Sequence, residues 1–272
     1  MIGRWMVLAC VLLTMGLAFS VGAMPSVTET RVFTLEDSYL AVDLRGFNGS
    51  MEWVETEGPP RVELEMEVRG FLEGAMKRML EDFEVLVDTG RDTLTIEANP
   101  PSKRFGATQA SAVFRFFAPA EAVETFRAVT SNGSIRVDGF AADLDLRTSN
   151  GGITLGVGRG VVDAHTSNGR VELEFVEFTG SSSVRTSNGS IRGQMVLPDE
   201  GYYTFRTSNG SVELQLSGNL NGLFEMRTSN GTARLRLGDM ELESRDIRYQ
   251  GEDAGPIFTV ETSNGNIRVT EF

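Results

Sequence analysis

The chain has 272 residues, a formal net charge of −13 at pH 7, one histidine and one cysteine. That acidic balance argues against nucleic acid or an anionic membrane as a general partner, since both attract the opposite sign. The length is ample for a core, no long Pro or Ser tract separates linked domains, and 30 glycines with frequent Asn-Gly pairs point to turns and short strands.

At the start, Arg4 precedes an apolar run from Trp5 to about Val21, followed by "VGA". This is the layout of a secretory signal peptide over residues 1–23, with Val21 and Ala23 in the small-residue places before the cut. A retained membrane anchor is the alternative, because the run approaches spanning length. Both readings predict an exported protein, whether periplasmic, cell-surface or extracellular. Cys10 comes too early in the run to serve as a lipoprotein box. The mature chain from Met24 therefore has no disulfide or thiolate metal site, and losing Arg4 takes its charge from −13 to −14.

Residues 24–125 read as a β-rich section with one short helix. "TETRVFTLEDSYLAVDLRGFNGSMEWVE" and "PPRVELEMEVRG" alternate as strands do. "FLEGAMKRMLEDF" (71–83) carries Leu72, Met76, Met79, Leu80 and Phe83 on one face of an amphipathic helix. "EVLVDTGRDTLTIEAN" reads as a hairpin. Such an irregular first section suits a cap over the open end of a repeat array.

From residue 126 the chain repeats. "TSNG" begins at Thr130, Thr148, Thr166, Thr186, Thr207, Thr228 and Thr262, in steps of 18, 18, 20, 21, 21 and 34. After each TSNG the second place holds Ile135, Ile153, Val171, Ile191, Val212, Ala233 or Ile267. The fourth holds an aliphatic residue everywhere except at Gly193, and a polar residue sits between the two. Before each TSNG, the places two and four residues ahead of the Thr are also mostly apolar, with Ser182 the exception. Each repeat is thus a strand, a corner and a second strand, each strand with one buried face.

This pattern predicts an all-β fold, a single-stranded β-helix or β-solenoid of about 18–21-residue coils over 126–272, with the N-terminal section as cap. A meander of hairpins is the competing arrangement. Stacked coils are favoured because equivalent residues match from repeat to repeat and the return segments vary in length. Seven coils at about 4.8 Å would make a rod roughly 30 Å long. On this reading the Asn-Gly pair turns the corner by accepting positive φ. Asn132, Asn150, Asn168, Asn188, Asn209, Asn230 and Asn264 then stack as a hydrogen-bonded ladder. "FNGS" (47–50) is a worn copy of the corner. Past residue 237 the segment "GDMELESRDIRYQGEDAGP" reads as either a degenerate coil or a side loop, and its charges favour a solvated loop. The last strand, in "NIRVTEF", is expected to be a bare edge open to end-to-end self-association.

"FRAVTSNGSIRVDGFAADLDLRTSNGGITL" (126–155), the TSNG coils after it, and "VFRFFAP" before it resemble the bacterial adhesin-like family called domain of unknown function 4097. The resemblance spans roughly residues 32–272. It implies a right-handed β-helix, exported or attached to the envelope, and it brings no catalytic motif.

No phosphate loop, zinc motif, nucleophile elbow or calcium-binding glycine repeat is present. The sequence therefore predicts no enzyme, no cofactor and no metal. A carbohydrate-cleaving β-helix would need acids converging on one sheet. One outward column stands out, at the place before TSNG: Arg147, His165, Arg185, Arg206 and Arg227. Asp145, Asp163 and Glu225, two places earlier, are candidate ion-pair partners. The sharper expectation is a cationic strip for an extended anionic glycan, whose repeated carboxylates suit guanidinium geometry. A polysaccharide or another envelope protein is the expected partner.

Overall fold

A computed structural model describes residues 16–18, 24–35, 39–101, 105–251 and 255–272. Of the expected signal segment, only Gly16–Ala18 falls among them, and the rest lies outside the described residues. Among the described residues, no helix is long and apolar enough to cross a membrane. The chain divides into two compact units, Met1–Gly133 and Ser134–Phe272.

The first unit contains β1 (Gly16–Ala18), β2 (Ser26–Thr34), β3 (Ala41–Arg45), β4 (Met51–Glu55), β5 (Arg61–Gly70), α1 (Glu73–Glu81), β6 (Glu84–Thr89), β7 (Thr93–Asn99), β8 (Ala107–Ala118) and β9 (Thr125–Val129). Strand β5 pairs antiparallel with both β2 and β8, and β8 pairs parallel with β4. A second set runs β9–β3–β7–β6, with the predicted hairpin forming its β6–β7 end. The core gathers around Trp53, whose ring meets Phe116 and Phe126 at 5.1 and 5.2 Å. The helix is shorter than the sequence predicts. Ala75, Met76, Met79 and Leu80 are its buried face, and Leu72 precedes its first turn, 45% exposed. The worn corner is genuine: Asn132 Nδ2 donates to Asn48 Oδ1 at 2.6 Å, and Thr130 Oγ1 donates to the Gly49 carbonyl.

The second unit holds the repeats. The strands preceding each TSNG are β12 (Asp143–Thr148), β14 (Val162–Thr166), β16 (Ser182–Thr186), β18 (Tyr202–Asn209), β20 (Leu223–Asn230) and β24 (Ile257–Asn264). These form a front sheet. The strands following each TSNG form a back sheet: β10 (Ile135–Val137), β13 (Ile153–Gly160), β15 (Val171–Phe178), β17 (Ile191–Leu197), β19 (Val212–Gly218), β21 (Ala233–Leu237) and β25 (Ile267–Glu271). The short β11 (Phe140–Ala141) also lies against β13. Every pairing between repeats is parallel and, apart from a slip between β15 and β17, in register, for example Leu144↔Val162 and Ile191↔Val212. The chain alternates between the sheets, and each strand buries alternate residues. The predicted inward positions are buried throughout this unit except at Gly193. Ser182 fills its inward place by hydrogen bonding: its hydroxyl accepts from Val162 N and donates to the Gly180 carbonyl, both at 3.0 Å.

Spatial order departs from sequence order at the far end. Strand β24 lies between β18 and β20, and β25 between β19 and β21. The final strand, expected as a bare edge, is therefore paired on both sides. Phe258 shows the same placement in the core, with ring centroids 5.2 Å from Phe205 and 5.5 Å from Phe224. The segment expected as a solvated loop instead supplies two outer strands. Strand β22 (Met240–Ser244) pairs antiparallel with β21, and β23 (Asp246–Gln250) pairs antiparallel with β20. Their exposed residues include Glu241, Glu243, Asp246 and Arg248, the charged composition that discourages edge pairing.

Candidate functional site

Three letters of TSNG are consumed by the fold. The Thr is buried, and its hydroxyl donates to the glycine carbonyl of the adjacent repeat. Thr166 reaches Gly151, Thr186 reaches Gly169, Thr207 reaches Gly189, Thr262 reaches Gly210 and Thr228 reaches Gly265, all at 2.8–2.9 Å. The Asn side chains form the expected ladder at 2.8 Å per step, in the order Asn150, Asn168, Asn188, Asn209, Asn264, Asn230. The Gly is needed for a different reason from the one the sequence implied. No corner glycine of the repeats has positive φ. Instead, a Cβ on Gly189 would stand 2.0 Å from the Gly169 carbonyl oxygen, and one on Gly210 2.0 Å from that of Gly189. Close approach of stacked backbones, not a left-handed turn, excludes any side chain there.

The outward column before TSNG is assembled in part. Register places Arg147 beside His165, His165 beside Arg185 and Arg185 beside Arg206. Arg227 does not follow. Glu261 lies between Arg206 and Arg227, because β24 is inserted there, and Asp246 flanks Arg227 on its other side. The column is also paired with acids. Arg147 Nε donates to Asp145 at 2.7 Å and its Nη2 to Asp163 at 3.0 Å, and the Asp145 bond raises the guanidinium pKa above its ordinary value. Arg206 meets Glu261 at 3.4 Å and Arg227 meets Asp246 at 3.5 Å. Glu225, expected to face Arg227, pairs with Arg248 instead. Arg185 forms no ion pair among the described residues. The cationic stretch is thus Arg147 to Arg206, with Arg185 its open member.

Sequence reasoning passed over the outer face of the back sheet. The residue between the two inward places runs Thr154, Glu172, Arg192, Glu213, Arg268, Arg234 in spatial order. A shallow groove of ≈ 380 Å³ crosses that row. The alternation of charge was visible in the repeats, since Arg234 and Arg268 give the same sign in either order. No group of three or more His, Cys, Asp or Glu side chains among the described residues is placed to hold a metal ion.

No protein-family model matches the sequence, and no curated protein matches it. Among solved structures, the chain is similar to a "putative cell adhesion protein" from Clostridium sporogenes, at 10% identity over 90% of this chain and 100% of that one, with a TM-score of 0.37. It is similar also to a "putative adhesin" from Bacteroides fragilis, at 9% identity, 90% and 97% coverage and a TM-score of 0.44. A "putative adhesin" from Parabacteroides distasonis gives 14% identity, 90% and 97% coverage and 0.43. Identities and TM-scores this low carry no argument about what this chain does.

Proposed function

We propose that this protein is a non-enzymatic, exported binding and scaffold module of the bacterial envelope. We further infer that it is adhesin-like, with its repeats wound as a right-handed single-stranded β-helix. The observation that carries this reading is the parallel, in-register stack of the second unit. It presents the same outward chemistry once per coil, with Arg147, His165, Arg185 and Arg206 at adjacent register positions. A surface periodic in this way is matched by a ligand that is itself periodic. An acidic glycan repeats a carboxylate along its length, and a guanidinium takes a carboxylate through two parallel N–H donors. The ion pairs already made by Arg147 and Arg206 are exposed, a class that contributes only about 0–1 kcal/mol, so an incoming carboxylate can replace them.

The test is binding of the chain from Met24 to soluble acidic polysaccharides, alginate and polygalacturonate, at low and moderate salt. The expected result is binding that weakens with salt and is lost in the Arg185→Ala, Arg206→Ala double variant without a change in melting temperature. Binding that survives in the double variant refutes the strip.

A further inference from the structure

The groove on the back sheet has features that the stack alone does not require. It spans β15, β17, β19 and β25, three strand intervals or about 14 Å. Its floor is Leu173, Gly193 and Leu214, at core-facing positions. One wall alternates in charge: Glu172, Arg192, Glu213, Arg268. Arg192 and Glu213 pair at 3.1 Å, whereas Glu172 and Arg268 form no ion pair among the described residues. The opposite wall offers Gln194, Gln215 and Thr270. Gln194 Nε2 donates to Gln215 Oε1. That bond fixes both amides and leaves the Gln194 oxygen as an acceptor and the Gln215 NH₂ as a donor.

An irregularity places aromatic surface beside this row. The register between β15 and β17 slips between Leu173 and Val176, so Glu174 and Phe175 both face outward where the period requires one to turn in. Bulges re-aim side chains in this way and gather at functional sites. Phe175 is 37% exposed and lies 6.3 Å, edge to face, from Phe272, itself 50% exposed. Val157, register partner of Phe175, is 59% exposed. Thr270 lines both the groove and a second depression that includes Phe272, so the polar row and the aromatic pair adjoin.

We propose that this groove, with Gln194, Gln215, Glu172 and Arg268 as its polar contacts and Phe175 with Phe272 as its apolar flank, binds a neutral oligosaccharide. The inference rests on the reading of the protein as a binding module and assigns a second face to it. Three chemical facts select the ligand class. The open groups alternate between donor and acceptor, which suits hydroxyls, each able to do both. Three carboxylates, Glu172, Glu174 and Glu213, outnumber the two guanidiniums, which disfavours an acidic polymer. The strands are paired on both edges, so no peptide can add to them as a strand, and the exposed rings offer instead a flat surface for the C–H face of a sugar.

The experiment uses the chain from Met24 in affinity electrophoresis against soluble mannan, laminarin, xyloglucan and arabinogalactan, with alginate alongside, at low and moderate salt. The variants are Phe175→Ala and the double variant Gln194→Ala, Gln215→Ala. All five polysaccharide gels are read against the melting temperature of each variant. The inference expects salt-insensitive binding to at least one neutral polysaccharide, weakened about tenfold or more in either variant while melting is unchanged. Neutral-glycan binding that both variants retain overturns the groove as the site. Salt-sensitive binding to alginate alone overturns the groove and leaves the arginine column standing. No binding to any of the five overturns both readings.

Discussion

The inserted position of the last coil can be trapped chemically. Asn209 is the register partner of Asn264, whose Nδ2 donates to its Oδ1 at 2.8 Å, and Asn230 lies one layer further on. Adjacent strands are about 4.8 Å apart, within the ~4.4–6.8 Å Cα separation that a disulfide spans, whereas two layers, roughly 9.6 Å, lie outside it. The pair Asn209→Cys, Asn264→Cys should therefore oxidise spontaneously, and the pair Asn209→Cys, Asn230→Cys should remain reduced. The chain from Met24 has no cysteine of its own, so no other intramolecular bridge competes. Each pair loses ladder bonds, at about 1 kcal/mol apiece. The first pair also closes a loop of 55 residues, which on a chain-entropy basis adds ~4 kcal/mol, so its oxidised form should melt above its reduced form. Peptide mapping of alkylated, non-reduced protein gives the answer directly. A stack in sequence order would bridge Asn209→Cys to Asn230→Cys and leave the other pair free, and that result would refute the insertion.

Three further outcomes follow from the same geometry. Phe258→Ala removes a side chain buried between Phe205 and Phe224. It should cost about 3–5 kcal/mol and lower hydrogen-exchange protection over both 202–209 and 223–230, whereas loss confined to 257–271 would contradict its interior place. At the corner, Gly189→Ala forces a Cβ against the Gly169 carbonyl, and Thr207→Val leaves the part-buried Gly189 carbonyl without its donor. Each should lower stability by roughly 1–3 kcal/mol in urea, and a neutral Gly189→Ala would show that the stacked backbones can part. The Tyr203 phenol, desolvated by burial, has its pKa pushed up to about 12 from 10.0. Its neutral form is the one the fold favours, so its contribution is complete below pH 10 and is lost as pH rises from there toward 12. Tyr203→Phe should flatten that alkaline loss, and ultraviolet titration of the native protein should show one of the four tyrosines ionising late.

Much of the second unit was legible because a period-two strand repeats every 18–21 residues and few other folds satisfy both periods. Inward residues such as Ile153, Leu155, Phe205 and Val260 announce themselves by type, and the structure buries each of them. The Asn ladder was legible for the same reason, being one residue type at one phase of the repeat. What the pattern could not carry was the reason for the glycine and the order of the coils. A TSNG that bends through positive φ and one that needs bare backbone contact have the same letters, and only the 2.0 Å approach separates them. The arginine column failed through that second gap: sequence order sets Arg227 next to Arg206, whereas pairing puts Glu261 between them and turns Glu225 to Arg248. The aromatic flank of the groove was missed because the outward turn of Phe175 depends on a local slip after Leu173, which a repeat alignment smooths away.

The inserted position of the last repeat goes with a local feature of the chain. Leu237 pairs with Met240 across a two-residue turn, Gly238–Asp239, and Gly238 adopts φ 54°, in the left-handed region where glycine carries no Cβ penalty. That tight hairpin places β22 on one edge of β21. The following β23 takes the corresponding edge of β20. With β22 and β23 in place, each of β20 and β21 has only its other edge left for the last repeat, the edge toward β18 and β19. A strand with Phe258 and Val260 inward, and another with Ile267 and Val269 inward, can bury both of their edges there and nowhere else. The charged segment that the sequence marks as a loop thus occupies the outer edges, and the final repeat lies inside. It also places Glu241, Glu243, Asp246 and Arg248 on the outermost strands, where charge opposes the addition of another chain.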